Sequence, residues 1–352
     1  MRIAQVSPLY ESVPPKLYGG TERIVSYLTE ELVNMGHEVT LFASGDSVTR
    51  AKLIAPWCCA LRLQDNCIDQ LAHHIHMLEM VQKDIEDFDI IHYHIDYLHF
   101  PLSRRSNKPH VTTLHGRLDI PDLVPLYKEY PEMPIVSISD FHRKPLTNVN
   151  WKGTVYHGLP EDFLKPKFEE GKYLAFIGRF SPEKRADRAI EIAIKAGIPI
   201  KLAAKVDKAD KEYFESTIEP LLNHPLVEFV GEINESQKSD FLGNAIALLF
   251  LIDWPEPFGL VMIESMACGT PVIAYRNGSV PEVIDEGITG CIVESQEEAF
   301  AAVKKIKDLS REKVRQQFVK RFSAKRMAKD YVNLYEEMIL EKSLPQIKLQ
   351  KY

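Results

Sequence analysis

Two hydrophobic rhythms alternate along this chain. Short apolar runs at Arg2 to Ser7, Glu38 to Ala43, Asp89 to Ile95, His110 to Leu114 and Ile135 to Ser139 predict strands. Between them, apolar residues at helical spacing predict helices, as at Ile24, Leu28, Leu32 and Met35, and again over Asp69 to Phe88. Strand and helix in regular alternation imply a parallel sheet. The rhythm breaks across Val155 to Gly171, which is turn-rich and then polar. It resumes with strands at Tyr173 to Ile177, Ile200 to Ala204, Val227 to Val230, Ala245 to Ile252, Val272 to Tyr275 and Ile292-Val293. Helices from Gln296 to Leu340 finish the chain, the last with an apolar stripe at Val332, Tyr335 and Met338. The pattern predicts an α/β protein of two domains, 1–158 and 159–325.

One stretch concentrates candidate chemistry. The run Ala245 to Ile252 has the composition of a strand buried on both faces. It passes through Pro255-Glu256-Pro257-Phe258-Gly259 into an amphipathic segment that Gly269 and Pro271 end. Backbone N–H groups of Leu260 and Val261 at such a helix start suit an anion. Glu256 lies in the loop and Glu264 within the helix, placed to accept hydrogen bonds from hydroxyls. A second stretch, Gly178-Arg179-Phe180-Ser181-Pro182-Glu183-Lys184-Arg185, follows its strand directly. Ser181 reads as an N-cap, Pro182 as the first helical residue and Lys184 as part of the opening turn. Cations there oppose the helix dipole, so Arg179 and Lys184 call for an anionic ligand.

These motifs are similar to those of retaining, nucleotide-sugar-dependent glycosyltransferases of the family 4 type. The match rests on Glu256 and Glu264 at their spacing around Pro-Phe-Gly-Leu, on the Cys268-Gly269-Thr270-Pro271 that follows, and on Gly178 to Lys184. It is strong over Ile177 to Gly290 and looser over the first domain. The resemblance implies the GT-B fold: two Rossmann-like, doubly wound domains facing a cleft. It also implies a C-terminal helix, about 326–341, that crosses back to an acceptor-side first domain. The second domain would hold the nucleotide-sugar.

Roles for residues follow from the resemblance. His115, Glu256, Arg179 and Lys184 would be catalytic, with His115 at the sugar's 6-position and Glu256 on its hydroxyls. The donor would further engage Gly19, Gly20, Gly231, Glu232, Ile233, Pro257, Phe258, Gly259, Leu260, Val261 and, at the ribose, Glu264. Asp96, Arg117 and Asp119 would face the acceptor, with Tyr10 to Tyr18 and the segment from Arg117 to Tyr130 on the same side. The family usually has Asn-Gly where this chain has His157-Gly158, a departure expected to touch the hinge and not the chemistry. It often has a second glycine in place of Ser279. Lys205-Val206-Asp207 stands where many relatives carry glycines, so base recognition is expected to differ in detail.

Charge and cysteines narrow the picture further. A net charge of −7 (43 basic against 50 acidic residues) gives no footprint for nucleic acid. Five cysteines with no C-x-x-C pair read as reduced thiols of a cytoplasmic protein. Met1-Arg2 leads straight into a strand, leaving no room for a signal peptide, and no run is long enough to span a membrane; a peripheral membrane contact stays open. Gly19-Gly20 is not a G-x-G-x-x-G fingerprint. Asp87-Phe88-Asp89 imitates a metal motif but precedes its strand, whereas ligands of open α/β sheets bind at carboxyl ends. His92 with His94, and His73 with His76, lack an obvious third ligand, so satisfied or surface histidines are expected. No cofactor or metal is expected, and the co-substrate is a nucleoside-diphosphate sugar, UDP favoured over GDP. The acceptor (small molecule, glycan or lipid) and the oligomeric state are not readable. A nucleotide-sugar epimerase and a non-catalytic nucleotide-sugar binding protein share the architecture. The first is disfavoured by the EPFG stretch, the second by the intact charged positions.

Overall fold

The apolar runs become parallel strands, because helices on both faces of each sheet remove their side chains from water. The computed structural model describes residues 1–16, 19–64 and 67–343. Leu17 and Tyr18 of the expected acceptor side lie outside the described residues, as does the tail beyond 343. The chain forms two compact units, Met1–Gly158 with the segment from Ala324 onward, and Leu159–Ser323.

In the first unit the strands are β1 (Arg2–Val6), β2 (Glu38–Phe42), β3 (Lys52–Ile54), β4 (Ile90–Tyr93), β5 (His110–Thr113), β6 (Ile135–Ser137) and β7 (Trp151–Thr154). Their spatial order is β3-β2-β1-β4-β5-β6-β7, every pair parallel. The second unit holds β8 (Tyr173–Arg179), β9 (Ile200–Lys205), β10 (Val227–Gly231), β11 (Ala245–Phe250), β12 (Val272–Tyr275) and β13 (Gly290–Val293). Its order, β10-β9-β8-β11-β12-β13, repeats the plan, again wholly parallel. Both orders reverse at one place, between β1 and β4 and between β8 and β11. Ligands of such sheets bind beyond the carboxyl ends of the strands at that reversal.

Strand β11 is buried along its whole length, the reason it reads as one apolar run. Edge strands β3 and β7 went unpredicted: they are short, partly polar and only half-buried. The C-terminal helix, Ala324–Ser343, packs within the first unit and buries Tyr331, Val332, Tyr335 and Met338. That helix hydrogen-bonds the sheet through the Tyr335 hydroxyl, which Gln5 Nε2 approaches at 3.1 Å.

The second unit carries a buried arginine. Arg311 donates to the carbonyls of Lys167 (2.8 Å), Ala245 (2.8 Å) and Gly243 (2.6 Å) and to Thr270 Oγ1 (2.7 Å). Burial lowers its pKa, yet it seals the ends of three segments at once. Arg311→Met leaves those carbonyls without donors, at about 3 kcal/mol. Scanning calorimetry should show Tm several degrees lower, while an unchanged Tm would mean water replaces the guanidinium freely.

Candidate active site

The carboxyl end of β11 leads into a loop whose geometry is fixed by backbone contacts. Gly259 has φ 78°, a left-handed conformation, and precedes the helix Leu260–Ala267. Ser279 N–H donates to Glu256 O at 3.0 Å, and Ser279 Oγ donates to Phe258 O at 2.8 Å. Ser279, where the family often has glycine, thus supports this loop. Phe258 is buried and meets Phe322 edge-on at 6.1 Å, while Leu260 and Val261 stay half-buried at the helix start.

Glu256 projects from this loop. Its Oε2 accepts from Trp254 Nε1 at 2.8 Å and pairs with Lys184 Nζ. The ammonium also lies 5.6 Å from the centre of the Trp254 ring. Residues far apart in sequence therefore meet beyond adjacent strands β8 and β11. A backbone hydrogen bond from Asp253 N–H to Glu183 O (2.9 Å) ties the two loops together. Asp253 reinforces it, accepting Arg185 Nη1 and Arg188 Nη1 at 2.6 Å each.

The expected helix start at Ser181 is corrected. The helix is Ala186–Ala196, and residues 181–184 form a turn in which Lys184 N–H donates to Ser181 O at 3.0 Å. Arg185 precedes the helix with φ 52° and ψ 49°. This left-handed geometry accompanies a guanidinium that bridges Asp187 and Asp253. Lys184 therefore sits before the helix, not in its first turn, and the dipole argument for it does not apply. Arg179, at the end of β8, pairs with Glu183 at 2.6 Å and Asp210 at 2.9 Å.

Glu264 is buried and accepts Lys238 Nζ at 2.7 Å. Lys238 comes from the helix Glu235–Gly243, 26 residues earlier, with no spacing signal to reveal it in the sequence. Gly231 ends β10 with φ 76°, and Glu232 and Ile233 follow before Asn234 caps that helix through a capping box with Gln237.

In the first unit the carboxyl ends of β4 and β5 gather histidines. His115 follows β5, and its Nε2 lies 2.9 Å from His94 Nδ1. Its ring stacks on His157 at 5.3 Å and an interplanar angle of 14°. His157, expected at the hinge, thus also packs on His115. Burial, with His142 nearby, pushes the His115 pKa down to about 3. Asp96 has φ 51°, and burial raises its carboxyl to about 6 against a hydrogen bond from the His115 backbone. Arg117 and Asp119 form a two-point pair at 2.9 Å with each other, on the surface.

Gly20 is the first residue of the helix Gly20–Asn34, and Gly19 is extended at φ −171°. A Cβ at Gly19 would lie 3.1 Å from both Glu22 Oε2 and Glu11 Cγ. Both carboxylate side chains are buried there, and burial raises the Glu22 pKa. Arg62 Nη1 lies 3.3 Å from Glu11 Oε1, so the surroundings of the glycine pair hold charges of both signs.

The other histidines have structural partners. His92 bonds Tyr335 and Thr113, and His73 packs on Trp57 at 4.3 Å. Asp89 pairs with Arg2 at 3.0 Å. Among the described residues no three His, Cys, Asp or Glu side chains are grouped to hold a metal, and no helix is long and apolar enough to cross a membrane.

Residues 18–153 match the Glycosyltransferase Family 4 model and residues 160–325 the Glycosyl transferases group 1 model. The chain belongs to the family 4-type glycosyltransferases. Among its relatives is the N-acetyl-alpha-D-glucosaminyl L-malate synthase of Bacillus anthracis, 27% identical over 91% of this chain and 94% of that one. The solved sucrose-phosphate synthase of Thermosynechococcus elongatus superposes with a TM-score of 0.77 at 18% identity, covering 97% of this chain and 100% of the other. HepE of Anabaena, solved in complex with UDP-glucose, gives 0.72 at 16% identity over 96% and 100%. These structures show that this glycosyltransferase has the GT-B fold of two Rossmann-like domains.

Proposed function

We propose that this glycosyltransferase moves a hexose, with retention and without a metal, from a nucleoside-diphosphate sugar to an acceptor hydroxyl. The observation that carries this reading is the meeting of Lys184, Glu256 and Trp254 beside the helix that starts after Gly259. Lys184, Arg179 and the N–H groups of Leu260 and Val261 would neutralise the departing diphosphate, the largest charge change in the reaction. Glu256 would take hydroxyls of the sugar, Glu264 those of the ribose, and His115 the 6-position. The bond from the anomeric carbon to the phosphate oxygen breaks as the acceptor oxygen bonds that carbon from the same face, and the acceptor proton passes to the leaving phosphate. UDP-sugar is favoured as donor, as the UDP-glucose complex of HepE supports by analogy.

The cations already face carboxylates, so the diphosphate must compete with them. For Arg179 this is easy: its side chain is 47% exposed, and such surface pairs are worth about 0–1 kcal/mol. Lys184 is more enclosed, and it can keep Glu256 on one side while meeting a phosphate on another, since an ammonium has three donors.

Hydrolysis of UDP-glucose, UDP-N-acetylglucosamine and GDP-mannose tests the reading. A UDP-sugar should be cleaved, the sugar first released as the α-anomer by NMR, at a rate unchanged by excess chelator. Loss of activity with chelator and its return with Mn²⁺ would overturn the metal-free assignment. Mass and NMR identification of an epimerised sugar would instead favour a nucleotide-sugar epimerase.

A further inference from the structure

A continuous hydrogen-bonded chain runs from the C-terminal helix to His115 inside the first unit. Its links are His115 Nε2 to His94 Nδ1 (2.9 Å), His94 Nε2 to Gln5 Oε1 (2.8 Å) and Gln5 Nε2 to Tyr335 Oη (3.1 Å). It continues from Tyr335 Oη to His92 Nδ1 (2.7 Å), His92 Nε2 to Thr113 Oγ1 (2.7 Å) and Thr113 Oγ1 to Tyr331 Oη (2.7 Å). Gln5, His92, His94, Thr113, Tyr331 and Tyr335 are all buried, so water does not substitute for these partners.

We infer that this chain fixes His115 as the neutral imidazole protonated on Nε2, so that Nδ1 offers a lone pair to a ligand hydroxyl. The direction follows from Gln5. An amide oxygen only accepts and an amide nitrogen only donates. Oε1 faces His94, so His94 Nε2 carries the proton. Burial keeps His94 neutral, leaving its Nδ1 as an acceptor. His115 must therefore donate from Nε2, and its own neutrality leaves Nδ1 bare. Among the described residues Nδ1 has no hydrogen-bond partner. On the other side, Gln5 Nε2 donates to Tyr335, which donates to His92, which donates through Nε2 to Thr113. Every link points the same way, towards the C-terminal helix. Turning the Gln5 amide end for end reverses every link, and only then would Nδ1 of His115 carry the proton.

Gln5, His94 and Tyr335 are thus positioning residues for His115, and the returning helix contributes to the site through a hydrogen-bond direction and not by touching a ligand. On the function proposed above, on which this step rests, His115 recognises a sugar hydroxyl that donates. It would reject a sugar whose 6-position carries fluorine, which only accepts.

Long-range ¹⁵N–¹H correlation on the full chain labelled with ¹⁵N-histidine tests this without any ligand, signals being assigned with His115→Gln. Wild-type His115 should show a protonated Nε2 and an unprotonated Nδ1; a proton on Nδ1 overturns the inference. Gln5→Leu removes the acceptor of His94, so the His94 proton should move to Nδ1 and the His115 tautomer should invert. Gln5→Glu still accepts from His94 and should restore the wild-type pattern. A folded Gln5→Leu with unchanged His115 signals removes Gln5 from the role, and the wild-type spectrum decides alone if that variant does not fold. In kinetics, Gln5→Leu should cut kcat/KM for UDP-glucose hydrolysis about tenfold, as loss of one oriented hydrogen bond implies. The 6-fluoro donor should be cleaved at least tenfold less well by wild type, with the difference narrowing in Gln5→Leu. Wild type inert towards every nucleotide-sugar would count against the function and leave the tautomer assignment standing.

Discussion

Lys184→Ala should lower the rate of hydrolysis of the proposed UDP-sugar donor about 10²-fold, near 3 kcal/mol of transition-state stabilisation, as for removing one preorganised donor to a leaving group. The ion pair with Glu256 complicates the reading. Lys184 could act on the diphosphate, or it could serve only to neutralise a carboxylate that is 17% exposed. The double variant Lys184→Ala/Glu256→Gln, set against each single variant, separates these roles through its non-additivity. If Lys184 only balances Glu256, the double variant is no slower than Glu256→Gln alone. If it acts on the diphosphate, the double variant is slower than Glu256→Gln by about the factor that Lys184→Ala costs on its own. The second outcome is expected. Thermal stability should fall by only a few degrees in the single variant, because Glu256 keeps the Trp254 indole donor. A Lys184→Ala protein that is folded and fully active would remove Lys184 from the reaction.

How legible this site was in the sequence depends on the distance over which each interaction acts. The strand-turn-helix from Ala245 to Gly269 could be read directly, since a doubly covered parallel strand is continuously apolar and a helix start after glycine is local chemistry. The position of Lys184 was misread because Ser181-Pro182 carries local helix-start signals that tertiary contacts override. Arg185 takes up a left-handed backbone between Asp187 and Asp253, and the helix begins after it. The Lys238–Glu264 pair and the stacking of His157 on His115 link residues 26 and 42 positions apart, and neither leaves a periodic trace. Edge strands β3 and β7 were missed because half-buried, mixed segments such as Lys52–Ile54 do not alternate cleanly.

Gly278→Ala tests whether the loop carrying Glu256 is held by the segment behind it. Gly278 has φ 57°, and a Cβ there would lie 2.3 Å from Glu256 O and 2.5 Å from Glu256 N. These neighbours are backbone atoms, so no side-chain rotation relieves the clash. Either the 253–259 loop or the 276–279 segment must move, and the hydrogen bond from Ser279 N–H to Glu256 O resists their separation. Glu256 would then leave its place beside Lys184 and Trp254. Misplacing a reacting group by about 1 Å can cost 10²-fold in rate, so a loss of that order or more is expected. The left-handed backbone alone adds about 1–2 kcal/mol for alanine, which lowers Tm whatever the loop does. Gly287→Ala supplies the control: its φ is 74°, with no atom within 4 Å of a Cβ. The two variants should show comparable strain in calorimetry, with Gly278→Ala losing further stability to the clash. Only Gly278→Ala should lose UDP-glucose hydrolysis about 10²-fold. Equal activity in the two variants would show that the Glu256 loop tolerates displacement and that its position does not set the rate.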